Sequence, residues 1–139
     1  MFKPTEEKSA FTKEAIDKIF QITNPNKGFT VVYGYNVKQN VFKRRIYRYI
    51  IGFNEQTSDM TIIILTKDGE IVKTAHLKKS DIKSARFVYE NKVMIRTSHG
   101  KLYIIVPPYT PTTLESLGIM PIVQEENEKQ FRNFLKTFM

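Results

Sequence analysis

The sequence contains no cysteine and only two histidines among its 139 residues. The lack of cysteine excludes disulfides, thiolate metal ligands and a cysteine nucleophile, and it fits a reducing compartment. His76 and His99 are too few for a typical zinc site, which takes three or four protein ligands. We therefore expect both histidines to be solvated polar residues, and we predict no metal site.

Recognisable catalytic motifs are also lacking. The sequence has no His-x-x-x-His and no Gly-x-Ser-x-Gly element. Its glycines are scattered, and Gly28, Gly69 and Gly100 are explained by predicted turns rather than by a phosphate-binding loop. We predict that the protein is not an enzyme and that it has no catalytic residue and no cofactor.

Apolar runs are short. The longest extends from Met60 to Leu65 and is interrupted by Thr61, whereas a membrane-spanning helix needs about 20 apolar residues. Residues 1–8 carry acidic side chains and no apolar stretch, which argues against a signal peptide. We expect a soluble, cytoplasmic protein without a transmembrane segment.

A basic excess stands out in an otherwise ordinary composition. Hydrophobic residues make up 41% of the chain and charged residues 26%, which is typical of one globular domain. The formal net charge is +8 at pH 7. Such an excess favours anionic partners, namely nucleic acid, an anionic lipid surface or an acidic protein, without choosing among them.

The first predicted element is a helix over residues 9–22. Ser9 or Thr12 is expected to cap its start, and the turn-forming residues 24–28 end it. We assign residues 1–28 to an N-terminal helical extension. The apolar residues that recur near the helical period are Phe11, Ala15, Ile16, Ile19, Phe20 and Ile22.

Residues 29–106 carry the signals of β-strands. Residues 37–40 are predicted as a polar connection, and Asp68 with Gly69 as a tight hairpin turn in which both residues have positive φ. Because most connections are tight turns, we expect an antiparallel meander. The predicted strands cover residues 29–35, 41–53, 60–66, 71–76, 82–89, 93–97 and 102–106.

Prolines at positions 107, 108 and 111 end the predicted sheet, because proline cannot donate to a strand ladder. Residues 107–121 are interpreted as a packed strap over the sheet edge. An ordered functional loop is the alternative, since connections of this length are often functional. The strap would bury Leu114, Leu117, Ile119 and Met120.

A second helix is predicted over residues 124–138. We expect its apolar stripe to close the open end of a bent sheet, with a partner-binding groove helix as the alternative. The predicted fold class is therefore mainly β: a strongly bent, seven-stranded antiparallel sheet or partly open barrel, capped by a C-terminal helix and preceded by an extra N-terminal helix. The stripe consists of Phe131, Phe134, Leu135 and Phe138.

Short motifs in this stretch resemble a known family. Residues 77–82 (Leu-Lys-Lys-Ser-Asp-Ile) are similar to the L-x-x-S-D-I step of bacterial pleckstrin-homology-like (PH-like) and GRAM-like domains. Residues 91–97, residues 100–106 and the Glu128-x-x-Phe131-x-x-Phe134-Leu135 pattern are similar to that family's last hairpin and helix. The N-terminal helix and the proline-containing connection depart from the family. The resemblance implies a PH-like domain over residues 29–139, a non-catalytic binding module whose target is a protein or an anionic surface.

Two basic clusters, within residues 38–48 and 73–86, supply candidate anion-binding residues. The first is similar to the Lys-x(n)-Lys/Arg-x-Arg pattern by which some PH domains hold phosphoinositide headgroups. Lys43 and Arg45, two residues apart on a predicted strand, point to one face. A solvated basic surface and a protein interface are the alternatives. The candidate residues are Lys38, Lys43, Arg44, Arg45, Arg48, Lys78 and Lys79.

Nucleic acid is a second predicted partner. Tyr47 and Tyr49 share a predicted strand face with Lys43 and Arg45, and aromatic side chains beside a positive stripe can stack bases. Strand propensity is the alternative explanation for the tyrosines, and no RNP-like or helix-turn-helix signature is present. An unpaired strand edge can instead accept a partner strand or a second copy of the chain.

Overall fold

A seven-stranded antiparallel sheet dominates the computed structural model, which describes residues 3–24, 28–39 and 44–139. Helix α1 (Glu6–Thr23) precedes the sheet, helix α2 (Glu125–Lys136) follows it, and short 3-10 helices lie at Lys79–Asp81 and Thr112–Leu117. The predicted fold class is confirmed. The strands are β1 (Thr30–Gln39), β2 (Arg44–Asn54), β3 (Asp59–Thr66), β4 (Ile71–Leu77), β5 (Ile82–Phe87), β6 (Lys92–Thr97) and β7 (Gly100–Ile105).

The two halves of the sheet meet at β1, since the strand order is β4-β3-β2-β1-β7-β6-β5. β1 pairs with β2 along its whole length but with β7 only through Tyr35 and Ile105. Gly34 permits this close approach, because a Cβ there would lie 2.7 Å from Ile104 Cγ2 and 2.8 Å from the Ile105 carbonyl oxygen. β4 and β5 are the two ends of the sheet, so the barrel stays partly open.

The inner face of the sheet forms the main core, and α2 packs against it. Phe53 of β2 contacts Phe131 and Phe134 of α2, with ring centroids 5.5 and 5.1 Å apart. Phe134 in turn contacts Phe138 at 5.4 Å. The apolar stripe predicted for this helix therefore packs into the core of the protein, as expected for an amphipathic helix.

The outer face of β1, β2 and β3 is covered by a second apolar layer, built from α1 and from the strap, which continues to residue 123. Gly52 lets α1 approach the sheet, because a Cβ there would lie 2.0 Å from Phe20 Cζ. The strap is packed, as predicted, but it covers this face rather than the sheet edge. The buried residues of this layer are Ile16, Phe20, Tyr33, Ile50, Ile63, Leu65, Ile119 and Ile122.

Buried polar side chains hold the strap against β1 and α1. Gln124 Oε1 accepts the Tyr33 N–H at 2.9 Å, while Gln124 Nε2 donates to the carbonyl oxygens of Tyr33 at 2.8 Å and Pro107 at 2.9 Å. Ser9 Oγ accepts the Val123 N–H at 2.8 Å. These bonds satisfy backbone groups that would otherwise be buried without partners.

Helix α1 begins at Glu6 rather than at residue 9, and its buried face matches the predicted stripe only in part, since Ile16 and Phe20 are buried as predicted. Thr5 is its N-cap, with Oγ1 accepting the Lys8 N–H at 3.2 Å. The predicted caps, Ser9 and Thr12, are buried inside the helix. Phe11 and Ile22, predicted on the buried stripe, are 73% and 82% exposed. The buried side of α1 therefore carries Ser9 and Thr12 together with Ile16 and Phe20.

Strand β1 extends beyond its predicted end at residue 35, as far as Gln39. Val37 pairs with Ile46 and Lys38 with Arg45, so part of the predicted polar connection is strand. Cross-strand pairing outweighs the polarity of these residues.

The β3–β4 turn is also different in type. Gly69 has a φ of 91°, but Asp68 is not among the residues with positive φ. Thr66 N–H donates to the Glu70 carbonyl oxygen at 2.9 Å, and the register shifts between Ile64 and Leu65. The turn is therefore longer than the predicted two-residue Asp-Gly turn.

Candidate functional site

The first predicted basic cluster lies at the β1–β2 end of the sheet. Lys43 falls outside the described residues, and Lys38 and Arg44 are placed by their backbone alone, in neighbouring pairs of the register. Arg45 is exposed and borders an open pocket of about 520 Å³ that Asp68 also lines. The surroundings of Arg45 are therefore of mixed charge.

Arg48 does not share this surface. Its side chain is buried at 6% exposure, and its Nε donates to the Thr66 carbonyl oxygen at 3.2 Å. It lies close to Tyr33, where burial raises the tyrosine pKa while the Met120 N–H and Arg48 partly offset that rise. Arg48 is thus a structural residue beside Tyr33, and its burial does not fit the predicted contact with an anion.

The two tyrosines predicted to stack bases point into the molecule. Tyr49 is 2% exposed and Tyr47 is half-buried, both against the inner core. Burial, together with the neighbouring Tyr47, raises the pKa of Tyr49 to about 12. The two side chains do share one strand face, but it is the inner face, where a base has no access to Tyr49.

The second predicted cluster contributes Lys78 and Lys79, which are exposed in the connection from β4 to β5. The L-x-x-S-D-I step forms a capped turn here, since the Asp81 carboxylate accepts the Lys78 N–H at 2.9 Å. An open pocket of about 690 Å³ borders both lysines together with Asp59. Asp81 of the motif is therefore explained by local structure.

The two predicted clusters are not brought together. Leu77, which precedes Lys78, pairs with Met60, and Met60 pairs with Phe53 near the end of β2. Arg45 lies near the beginning of β2. The stretch of β2 from Arg45 to Phe53, at about 3.3 Å per residue, separates the two clusters by roughly 25 Å.

A different basic surface, which sequence reasoning missed, lies on the outer side of β5, β6 and β7. The register aligns the outward side chains in rows across the three strands. Val93, Ile95 and Ile104, which alternate with them, are buried in the inner core, so the pleat turns the rows outward. We call these outward residues the basic outer face: Ser84, Arg86, Lys92, Met94, Arg96, Lys101 and Tyr103.

Charge of one sign characterises the basic outer face. β5, β6 and β7 contain no aspartate or glutamate, while each contains lysine or arginine. Arg96 and Lys101 are direct cross-strand partners, and like charges in that arrangement are destabilising. None of the ion pairs found within the described ranges involves this face. An anion bound here would relieve the repulsion.

Two tyrosines lie at one side of the same face. Lys92 Nζ is 6.0 Å from the ring centroid of Tyr89 and 5.8 Å from that of Tyr103, which is the outer limit of a cation–π contact. Tyr89 is 72% exposed and Tyr103 38%. Both rings therefore present open surface beside positive charge.

Helix α2 holds the hairpin that carries Tyr89. Arg132 of α2 donates to the Glu90 carbonyl oxygen and to Asn91 Oδ1, the latter at 3.2 Å. The Arg132 Nε is fixed by the Glu128 carboxylate at 2.8 Å. The position of Tyr89 is consequently tied to the core helix.

A signal for this face was available in the sequence. Arg96 follows the apolar residues 93–95 in a predicted strand, while Lys92 and Lys101 directly precede the predicted strands 93–97 and 102–106. Counting charges along contiguous stretches missed the face, because its members are neighbours only across strands. Pairing these two predicted strands as a hairpin would have brought Arg96 and Lys101 close together, although not into their observed register.

Both histidines are exposed, as predicted; His76 Nδ1 lies 3.1 Å from Thr61 Oγ1. Within the described ranges, no group of three or more candidate ligands could hold a metal ion, and no helix there has the length and apolar character needed to cross a bilayer. No protein-family model, curated protein or solved structure matches the chain. What the protein binds must therefore be inferred from its own surface chemistry.

Proposed function

We propose that the chain is a non-catalytic binding module of PH-like type that works in the cytoplasm and holds an anionic partner on its basic outer face. The observation that carries the proposal is an exposed sheet face whose strands contain cations and no carboxylate. A phosphate or carboxylate group between Arg96 and Lys101 would turn a like-charge contact into charge-assisted hydrogen bonds. The net charge of +8 adds long-range attraction.

The arrangement of elements supports the PH-like part of the proposal. A seven-stranded antiparallel sheet followed by one amphipathic helix is the layout that the resemblance implies. The motif residues have structural roles, since Asp81 caps the turn before β5 and Phe131 fills the core. The two departures from the family, α1 and the strap, cover the outer face of β1 to β3, which leaves the β5–β7 half for a partner.

Heparin-affinity chromatography tests the proposal, because heparin presents dense anionic groups without bases or a lipid surface. Lys92→Gln/Lys101→Gln removes two cations from the basic outer face. The matched control, Lys78→Gln/Lys79→Gln, removes two lysines from the cluster that the sequence predicted. We expect the first double variant to elute at clearly lower salt than the second, although their net charges are equal.

Equal shifts in elution would show that net charge alone governs retention and would contradict the proposal. Elution at lower salt by the control variant alone would indicate that Lys78 and Lys79, and not the basic outer face, form the anion-binding site. Far-UV circular dichroism and thermal melting establish that both variants keep the fold, so that a change in elution reports on the surface.

A further inference from the structure

We infer that the anionic partner of the basic outer face is single-stranded nucleic acid, with bases stacking on Tyr89 and Tyr103 and phosphates meeting the cations. The inference rests on the proposed function, because it names the partner of the same surface. It differs from the site predicted from the sequence, which used Tyr47 and Tyr49.

The exposed rings are the first support for a single strand. Tyr103 stands in the middle of β7, in the same row as Arg86 and Met94. Met94 is buried although it faces outward. The row therefore has an apolar centre, which the long side chains of Arg86 and Tyr103 flank. Exposed aromatic rings on a positive surface are the platform on which unpaired bases stack, because every base has a π-face.

The spacing of rings and cations is the second support. Lys101 lies two residues from Tyr103 on β7, and Arg96 is the cross-strand partner of Lys101. Two residues along a strand correspond to about 7 Å, a distance that one nucleotide can bridge between its base and its phosphate. Lys92, between the two rings, adds a further cation at the stacking site.

An anionic bilayer fits the same face less well. Tyr103 lies among cations on a strand, not at a projecting apolar tip. In the β5–β6 hairpin, the exposed Val88 and Tyr89 are followed by Glu90, so inserting this tip into a bilayer would bring a carboxylate towards the apolar phase, which is costly for an unpaired charge.

A nucleic-acid duplex also fits less well. The major groove admits a helix or a two-stranded ribbon, whereas the basic outer face is a sheet of three paired strands. Stacking on Tyr89 and Tyr103 further requires bases that are not already paired.

Fluorescence anisotropy with a labelled oligouridylate of about 12 nucleotides tests the inference. Parallel titrations use a duplex of the same length and vesicles of phosphatidylcholine with phosphatidylserine. We expect the single strand to bind more tightly than either. If the four cations Arg86, Lys92, Arg96 and Lys101 each engage a phosphate, the logarithm of the association constant falls with the logarithm of salt concentration at a slope of about −3.

Variants separate stacking from charge. Tyr89→Leu and Tyr103→Leu should each weaken binding about tenfold with the salt slope unchanged, and the matched Tyr→Phe variants should retain affinity, because a phenyl ring still stacks. Arg86→Gln/Arg96→Gln should make the slope shallower by about 1.4. Tyr89 is largely exposed in a hairpin, so its variants test stacking without disturbing the core.

The outcomes distinguish the inference from the proposed function. Binding to heparin or vesicles without binding to the oligonucleotide overturns the inference and leaves the proposed function standing. Tyr→Leu variants that bind as tightly as the wild type also overturn it, because phosphate contacts alone would then explain the affinity. Failure to bind any of these polyanions overturns both.

Discussion

Gly52 shows how a single missing side chain sets the position of a helix. The ring of Phe20 lies on the bare backbone of β2 at this residue, so that a Cβ would come within 2.0 Å of Cζ and 2.3 Å of Cε1. Gly52→Ala must displace the ring or the helix. We expect it to lower the free energy of unfolding by about 1–3 kcal/mol, the usual cost of overpacking, as measured by urea denaturation.

A double-mutant cycle identifies the contact responsible. Phe20→Leu shortens the side chain that meets the new methyl group, so the cost of Gly52→Ala should be smaller in the Phe20→Leu background than in the wild type. Strictly additive costs would mean that the strain lies elsewhere.

Arg48 and Tyr49 show why residue types alone did not predict which side chains of β2 are buried. The sequence correctly predicted that alternate residues of β2 face opposite sides. It could not show that β2 lies between two apolar layers, with α2 on one side and α1 and the strap on the other. The side chains of Arg48 and Tyr49 are consequently both buried, although the basic residues and tyrosines of β2 had predicted an exposed strand.

At the scale of elements, the strap depends on one buried amide. The Gln124 side chain takes the place of a neighbouring strand at Tyr33 of β1. It hydrogen-bonds to the backbone N–H and carbonyl of Tyr33 and to the carbonyl of Pro107. Gln124→Leu leaves these groups buried without partners, at about 1–3 kcal/mol for each group. We expect a loss of several kcal/mol in the free energy of unfolding, measured by chemical denaturation.

Gln130 is the matched control for this prediction, since it is an exposed glutamine of α2. Gln130→Leu should change the stability by less than about 0.5 kcal/mol. A comparable loss in both variants would attribute the effect to the leucine side chain and not to the lost hydrogen bonds.

The elements themselves were largely predictable because their signals are local. Turn residues and alternating apolar residues located all seven strands, and the phenylalanine stripe located α2. The buried face of α1 was only partly predictable in this way, since Ile16 and Phe20 of the predicted stripe are buried but other members are not. Phe11 and Ile22 are apolar yet exposed, while Ser9 and Thr12 are buried, since the strap and the sheet decide which side of the helix is covered.

At the scale of the whole molecule, the layers determine where a partner can bind. Helix α2 occupies the inner face, and α1 with the strap occupies the outer face of β1, β2 and β3. Of the outward cations of β5 to β7, Arg86, Arg96 and Lys101 are exposed and Lys92 is half-buried. They come together only through cross-strand pairings such as Arg96 with Lys101. Clusters of charge that are contiguous in the sequence therefore pointed to Lys78 and Lys79 instead.

The stability of the whole fold at alkaline pH follows from its buried tyrosines. Burial raises the pKa of Tyr49 from about 10 to about 12 and also raises the pKa values of Tyr33 and Tyr35. Between these pH values the unfolded chain releases phenolic protons that the folded chain retains. The free energy of unfolding should therefore be insensitive to these tyrosines below pH 10 and should fall as the pH rises from 10 towards 12.

Tyr49→Phe isolates the contribution of one such group. Phenylalanine cannot ionise, so this variant should lose less stability than the wild type between pH 8 and pH 11, as followed by urea midpoints at both pH values. Tyr89→Phe, which removes a largely exposed phenol, is the control and should leave the alkaline loss unchanged. An identical loss in wild type and Tyr49→Phe would mean that Tyr49 ionises equally readily in the folded and unfolded chains, which its position in the inner core opposes.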